Sequence, residues 1–220
     1  MIEVVVFDLD GVILQTEEVW DEVRGRYVVE RGGRYDEEAQ RAMMGMSAPE
    51  WSRYLADELG VPGTPGEISV DIVQLMEARY REELPLIPGA VEAVERLAAR
   101  WPLGLASSSN RPLIDTALAL SGLDALFTAT VSSEEVARGK PAPDVYLEAA
   151  RRLAVAPERC AAVEDSHSGI RSAEAAGMHV VAIPNPSFPP DPEALALAAL
   201  VLESISDLDV DAGESVSAAQ

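Results

Sequence analysis

The sequence predicts a doubly wound parallel α/β core, interrupted near its start by an all-helical insertion. Three observations predict it: short Val- and Ala-rich apolar runs that recur without strict alternation, helix-like segments between them, and a stretch over 15–85 that is helix-patterned with no buried-strand run. Strands covered by helices on both faces read as continuous apolar runs, because neither face meets water. Repeated alternation of such strands with helices indicates a parallel sheet wound on both sides.

The elements follow in order. Residues 4–7 form a first strand, running directly into Asp8-Leu9-Asp10-Gly11. Segments 17–30, 36–44, 49–59 and 68–83 have helical spacing and make up the insertion, which would sit over the mouth of the sheet as a cap. The core then resumes with helix 90–99, strand 103–106, helix 112–121, strand 126–131, helix 144–153, strand 160–163, helix 169–176 and strand 179–183. Ser, Pro, Asp and Gly at the ends of these segments supply caps and stops. The core is thus expected over 1–14 and 86–210 and the cap over 15–85. Residues 211–220, polar and small, read as a disordered tail.

At 220 residues and 48% hydrophobic content, the chain has enough apolar material for a substantial interior. Its formal charge of −21 argues against a nucleic-acid partner, since such proteins gain affinity by placing Lys and Arg on phosphates. An anionic ligand would need a local positive island, built from a metal, a lysine or backbone N–H groups. Cys160 is the single cysteine, so no internal disulfide forms, and a buried, inert thiol is expected. The longest apolar run, 194–202, is too short to span a bilayer, and no basic leader precedes the first strand. A cytoplasmic location without membrane association is the expectation.

Four groups of residues carry chemistry. Asp8 and Asp10 close the first strand, and two carboxylates so placed repel one another unless a cation joins them. A divalent metal would do so; an Asp/Gly turn is the plainer explanation. After the second strand, Ser107-Ser108-Ser109-Asn110 offers hydroxyl and amide donors at a helix start, which suits either a phosphate oxygen or an ordinary N-cap. After the third stands Lys140, the only lysine beside sixteen arginines. Its compact ammonium can reach a carboxylate and a phosphate oxygen together. After the fourth comes Glu164-Asp165-Ser166, where an N-cap would account for one carboxylate but not both. In a parallel sheet all four groups fall along the C-terminal edge, where such sheets bind ligands. A ligand set made of oxygen alone suits Mg²⁺.

Together and in this order, Phe7-Asp8-Leu9-Asp10-Gly11-Val12, Ala106-Ser107-Ser108, Lys140-Pro141-Ala142-Pro143-Asp144 and Val163-Glu164-Asp165-Ser166 resemble the four motifs of the haloacid dehalogenase superfamily. The resemblance covers essentially residues 3–210, including a cap inserted after the first motif. It implies a Rossmann-like core and a Mg²⁺-dependent phosphatase acting on a small phosphorylated metabolite, such as a sugar or polyol phosphate. Asp8 would be the nucleophile that forms an aspartyl-phosphate, and Asp10 the general acid and then base. Ser107, Ser108, Asn110 and Lys140 would hold the phosphoryl group. Mg²⁺ would bind through Asp8, the Asp10 carbonyl, and Glu164 or Asp165.

Within the superfamily, Asp10 argues against dehalogenation, which needs no acid for a halide leaving group. A cap without lysine argues against phosphonate hydrolysis through a Schiff base. β-Phosphoglucomutase is the serious alternative. Its cap pattern Gly-x-Ser-Arg stands here as Gly45-Met46-Ser47-Ala48, its cap histidine as Trp20, and a usual aspartate as Gln15; these departures favour hydrolysis. Arg24, Arg53 or Arg79 could supply the missing cap cation. Trp20 lies where sugar-phosphate phosphatases begin their cap, and serves either as a sugar-stacking platform or as cap core. A catalytically inactive acidic interaction module is the remaining alternative. The oligomeric state is not legible.

Overall fold

Four consecutive buried residues, Val4–Phe7, form β1, the centre of a six-stranded parallel sheet ordered β3-β2-β1-β4-β5-β6. The computed structural model describes residues 1–43, 46–186 and 188–210, and the statements below concern these. The other strands are β2 (Leu103–Ser107), β3 (Phe127–Ser132), β4 (Cys160–Glu164), β5 (His179–Ala182) and β6 (Leu200–Val201). Helices α5 (Ala90–Ala98), α6 (Arg111–Ser121), α7 (Asp144–Leu153), α8 (His167–Ala175) and the short α9 (Pro192–Leu195) connect them; α1 (Glu17–Glu30), α2 (Glu37–Met43), α3 (Ala48–Asp57) and α4 (Pro65–Glu82) build the insertion.

Side chains alternate across a strand, and both faces of β1 are covered. Val4 and Val6 pack with Val145 and Ala149 of α7 and Ile170 of α8. Val5 and Phe7 join Val94 and Leu97 of α5 and Leu113 and Ile114 of α6, in a cluster continuous with the cap interior through Leu14, Trp20 and Tyr27. Phe7 also meets Phe127 edge to face, with ring centroids 6.1 Å apart.

The cap is pinned where its two linkers meet. The Gln15 N–H donates to the Pro85 carbonyl at 2.8 Å, the Ile87 N–H donates to Ile13, and Leu14 bridges Leu86. Inside the cap, capping boxes start α3 (Ser47 with Glu50) and α4 (Thr64 with Glu67), and the Tyr27 hydroxyl on α1 donates to Asp71 on α4 at 2.8 Å.

Two elements depart from expectation. The apolar run over 194–202 is not one segment: it divides into the end of α9 and the two-residue β6, which was not foreseen. No described helix is long and apolar enough to cross a membrane. Met44, placed at the end of a helix, and the expected disordered tail 211–220 lie outside the described residues.

The strand order reverses between β1 and β4, so a crevice opens at their C-terminal ends. Their register pairs Phe7 with Val163, and the Asp8 N–H donates to the Val163 carbonyl at 3.0 Å. Asp8 and Glu164 are therefore neighbours by sheet geometry. Phe7, fully buried beneath this edge, is expected to lose about 3–5 kcal/mol of stability on replacement by alanine. Urea denaturation measures it, and a loss below about 1 kcal/mol would show the sheet centre to be loosely packed.

Candidate active site

The end of β1 delivers Asp8, the end of β4 delivers Glu164 and Asp165, and the loop after β3 delivers Lys140, all of them buried. The Lys140 ammonium lies 2.9 Å from Asp8 Oδ1 and 2.6 Å from Glu164 Oε1. One carboxylate oxygen from each of Asp8, Glu164 and Asp165 falls within 4.8 Å of the others, an arrangement able to hold a metal ion. Glycines make the room for it. A methyl on Gly169 would sit 2.0 Å from the Glu164 carboxylate, and one on Gly11, whose φ is +81°, would sit 1.9 Å from Asp165 Oδ2.

The oxygens of the cluster are not equally engaged. Glu164 Oε1 also accepts from the Tyr146 hydroxyl at 2.6 Å, and Oε2 accepts from the Asp165 N–H and the Ser166 hydroxyl. Asp165 Oδ1 is buried with no hydrogen-bond partner. Three carboxylates against one ammonium leave a deficit of positive charge that a divalent cation fits, and the unpartnered Asp165 oxygen is available to it as a ligand.

Electrostatics express the same deficit. Burial pushes the Asp8 carboxyl up to about 8, with Glu164 and Asp10 adding to the rise and Lys140 opposing it. Asp165 is held well above the carboxylate range by burial and by its acidic neighbours Glu164 and Asp8. Burial pulls Lys140 down, but Asp8 and Glu164 together more than offset this and hold it above the usual lysine value.

Asp10 stands beside this cluster. Its Oδ1 accepts from the Thr16 hydroxyl at 2.7 Å, and its Oδ2 accepts from Ser109 at 2.7 Å and Ser107 at 3.3 Å. Thr16 immediately precedes α1, so this bond ties the acid to the entry of the cap.

The structure places the expected phosphate-binding residues of the second motif differently from one another. Ser107 is fully buried, and its hydroxyl serves Asp10 and the Ser109 N–H. Asn110 commits its side-chain amide to Glu134 at 2.7 Å, which bonds the Arg111 N–H as well; this amide ties two core loops together. Ser108 alone of the three lines the main cavity, a space of about 650 Å³ floored by Asp8, Asp10, Lys140 and Asp165 and walled from the cap by Arg41 and Met46. That volume lies within the ordinary range for small-molecule sites. Trp20 faces a smaller adjoining pocket together with Trp51, Arg24 and Asp10. Of the other candidate cap cations, Arg79 is paired with Glu82 and Glu22.

Sequence reasoning missed Tyr146, Thr16 and Ser109. Ser109 sits in a serine run whose inner and outer members no pattern separates. Tyr146 and Thr16 matter only through the packing of α7 on β4 and of the linker on Asp10.

The four motifs now converge on one crevice, and a model of haloacid dehalogenase-like hydrolases matches residues 2–177. The chain belongs to the haloacid dehalogenase-like hydrolase family. The fructose-1-phosphate phosphatase of Escherichia coli is 35% identical over 185 residues, covering 80% of this chain and 93% of that protein. The bifunctional riboflavin kinase/FMN phosphatase of Arabidopsis thaliana is 30% identical over 94% of this chain, which spans only 54% of that protein's length. Among solved structures, the phosphate complex of CbbY from Rhodobacter sphaeroides superposes with a TM-score of 0.84 at 28% identity, over 94% of this chain and 96% of that one. The β-phosphoglucomutase of Clostridium difficile reaches the same 0.84 at 22% identity, which shows the shared fold alone. With such relatives, the chain is a phosphatase of the haloacid dehalogenase type.

The raised Asp8 carboxyl gives a testable pH dependence. The folded chain keeps this proton to about 8, whereas the unfolded chain releases it near 3.8, so the folded state binds more protons in between. Stability tied to this group is full below about 4 and is lost as the pH rises toward 8. From about pH 6 to 8, where ordinary carboxylates have finished titrating, chelator-treated protein is expected to melt at falling temperature. A saturating divalent cation should raise the melting temperature and flatten that slope. Equal slopes with and without the cation would contradict the metal assignment.

Proposed function

We propose that this phosphatase hydrolyses a small sugar or polyol monophosphate, using Mg²⁺ and a phosphoenzyme formed on Asp8. The observation that carries the reading is the gathering of Asp8, Lys140 and Asp165 on the floor of a cavity roofed by the cap. The sugar-phosphate activity named for the Escherichia coli relative supports the substrate class.

Mg²⁺ would be held by Asp8, Asp165 and the main-chain carbonyl of Asp10, with Glu164 behind them anchoring Lys140. Oxygen donors without His or Cys favour this ion. When bound, it offsets the repulsion between a carboxylate and a dianionic phosphate and stabilises the charge of the transition state. The remaining chemistry belongs to the side chains. Asp8 attacks phosphorus as the ester bond breaks, and Asp10 gives its proton to the departing oxygen. Asp10 must exchange a serine or threonine hydroxyl for that oxygen, which couples its readiness to the cap linker. Water then attacks the phosphoenzyme, Asp10 takes the water's proton, and Asp8 is released with inorganic phosphate. Lys140 orients Asp8 and carries positive charge toward the phosphoryl group throughout.

Hydrolysis is favoured over phosphoryl exchange between sugar positions. Ala48, where the mutase pattern has arginine, is buried and uncharged, and Trp20 replaces its histidine. The chain's charge of −21 opposes a nucleic-acid substrate, and a single cysteine without a disulfide partner fits a cytoplasmic setting.

p-Nitrophenyl phosphate turnover abolished by EDTA and restored by Mg²⁺ is the expected result. Asp8→Asn should remove activity. Asp10→Asn should lower turnover by about 10²–10⁴-fold while a phosphoenzyme still accumulates from acetyl phosphate, read by intact-mass spectrometry. Phosphate found on a serine would refute the assignment of Asp8. Glucose 6-phosphate appearing faster than free phosphate, from β-glucose 1-phosphate with a bisphosphate primer, would establish the mutase instead.

A further inference from the structure

Arg24, on α1, is 9% exposed and forms no hydrogen bond or ion pair with any described residue. Its guanidinium carbon lies 4.4 Å from the Trp20 ring centroid and 5.2 Å from that of Trp51, two indoles 5.9 Å apart. Indole rings attract a cation but offer no acceptor for its N–H groups. Nε is buried with no partner. A guanidinium remains charged in proteins, so burying its Nε unsatisfied is unfavourable unless a ligand completes the site.

The surroundings define that ligand. Arg24 lines a pocket of about 80 Å³ next to the main cavity, shared with Asp10, Glu17, Trp20 and Trp51. Glu17 also faces the main cavity, and it too makes no hydrogen bond or ion pair among the described residues. Burial and the nearby Asp10 push the Glu17 carboxyl up, and burial pulls Arg24 down to about 10. A second phosphate placed here would gain one guanidinium and meet two carboxylates, those of Asp10 and Glu17. A hydroxyl group meets no such conflict, because it accepts from Arg24 and donates to Glu17 at once.

We propose that Arg24 and Glu17 are specificity-determining residues that read the hydroxyl groups of the sugar or polyol, selecting an uncharged, hydroxylated leaving group over one bearing a second phosphate. This rests on the sugar-phosphate phosphatase reading above. The Trp20–Trp51 pair positions the guanidinium against the apolar cap interior, so Trp20 acts through Arg24.

The test compares kcat/KM for fructose 1-phosphate, fructose 1,6-bisphosphate and p-nitrophenyl phosphate, whose aryl group has no hydroxyls. The wild type should prefer fructose 1-phosphate to the bisphosphate by at least about tenfold. Arg24→Met should lower the ratio of fructose 1-phosphate to aryl phosphate efficiency by about tenfold or more, mainly through KM. Glu17→Gln should move that ratio in the same direction. Thermal melts verify folding; should Arg24→Met fail to fold, Arg24→Lys, which keeps the charge and loses the planar fork, carries the same expectation. Ratios within about twofold of the wild type in folded variants would overturn the inference. So would a wild-type preference for the bisphosphate that Arg24→Met abolishes. A wild type inert toward all three esters would overturn the phosphatase reading and this inference with it; turnover with unmoved ratios would overturn the inference alone.

Discussion

One ammonium group, shared between Asp8 and Glu164 in the interior, is the interaction on which the active site depends. Lys140 has 2% of its side chain exposed and lies within 3 Å of both acids. Without it, two neighbouring strand ends would bring carboxylates together with no cation from the protein. With it, the cluster still holds more negative than positive charge, and Asp165 keeps an oxygen without a partner. That residual imbalance is one that a metal would relieve, since buried charge is tolerated only when paired or neutralised. Tyr146 stiffens the arrangement by donating to the same Glu164 oxygen that Lys140 approaches.

The fold delivers this cluster through topology. Reversal of strand order between β1 and β4 sets their ends side by side, and the parallel register fixes which residues meet. Continuous burial on both faces of β1 leaves the chain no freedom to slip, because a shift of one residue would exchange its two packed faces. Gly11 and Gly169 complete the geometry by letting backbone approach carboxylates closely. The cap brings a chemistry of its own: apolar surface, two indoles and the unpaired groups Arg24 and Glu17, set against a core that handles phosphate. Thr16 links the two by holding Asp10 from the cap's entry.

Much of this was legible in the sequence. Buried strands such as Val4–Phe7 and Cys160–Glu164 announce themselves as apolar runs ending in acids, and the helices between them carry their own caps. The acids and the lysine were legible because polar residues directly after such runs are unusual and their positions coincide on one sheet edge. β6 escaped because two residues carry no periodicity, and its apolar neighbours blurred into α9. Asn110 reads as a phosphate donor or as an N-cap because a donor at a helix start suits both roles, and its bond to Glu134 is encoded by no local pattern. Arg24 could be named as one cap arginine among several, but its burial between two tryptophans depends on how α1 and α3 pack, which no local pattern encodes.

The central claim is that residues from two separate segments, the ends of β1 and β4, surround a single divalent ion. Anomalous diffraction from crystals soaked in Mn²⁺, a stand-in for Mg²⁺ with a detectable signal, tests it directly. The account predicts one strong peak within about 2.5 Å of a carboxylate oxygen from both Asp8 and Asp165, with Lys140 still bridging Asp8 and Glu164. A peak elsewhere, or none at this crevice, would contradict it.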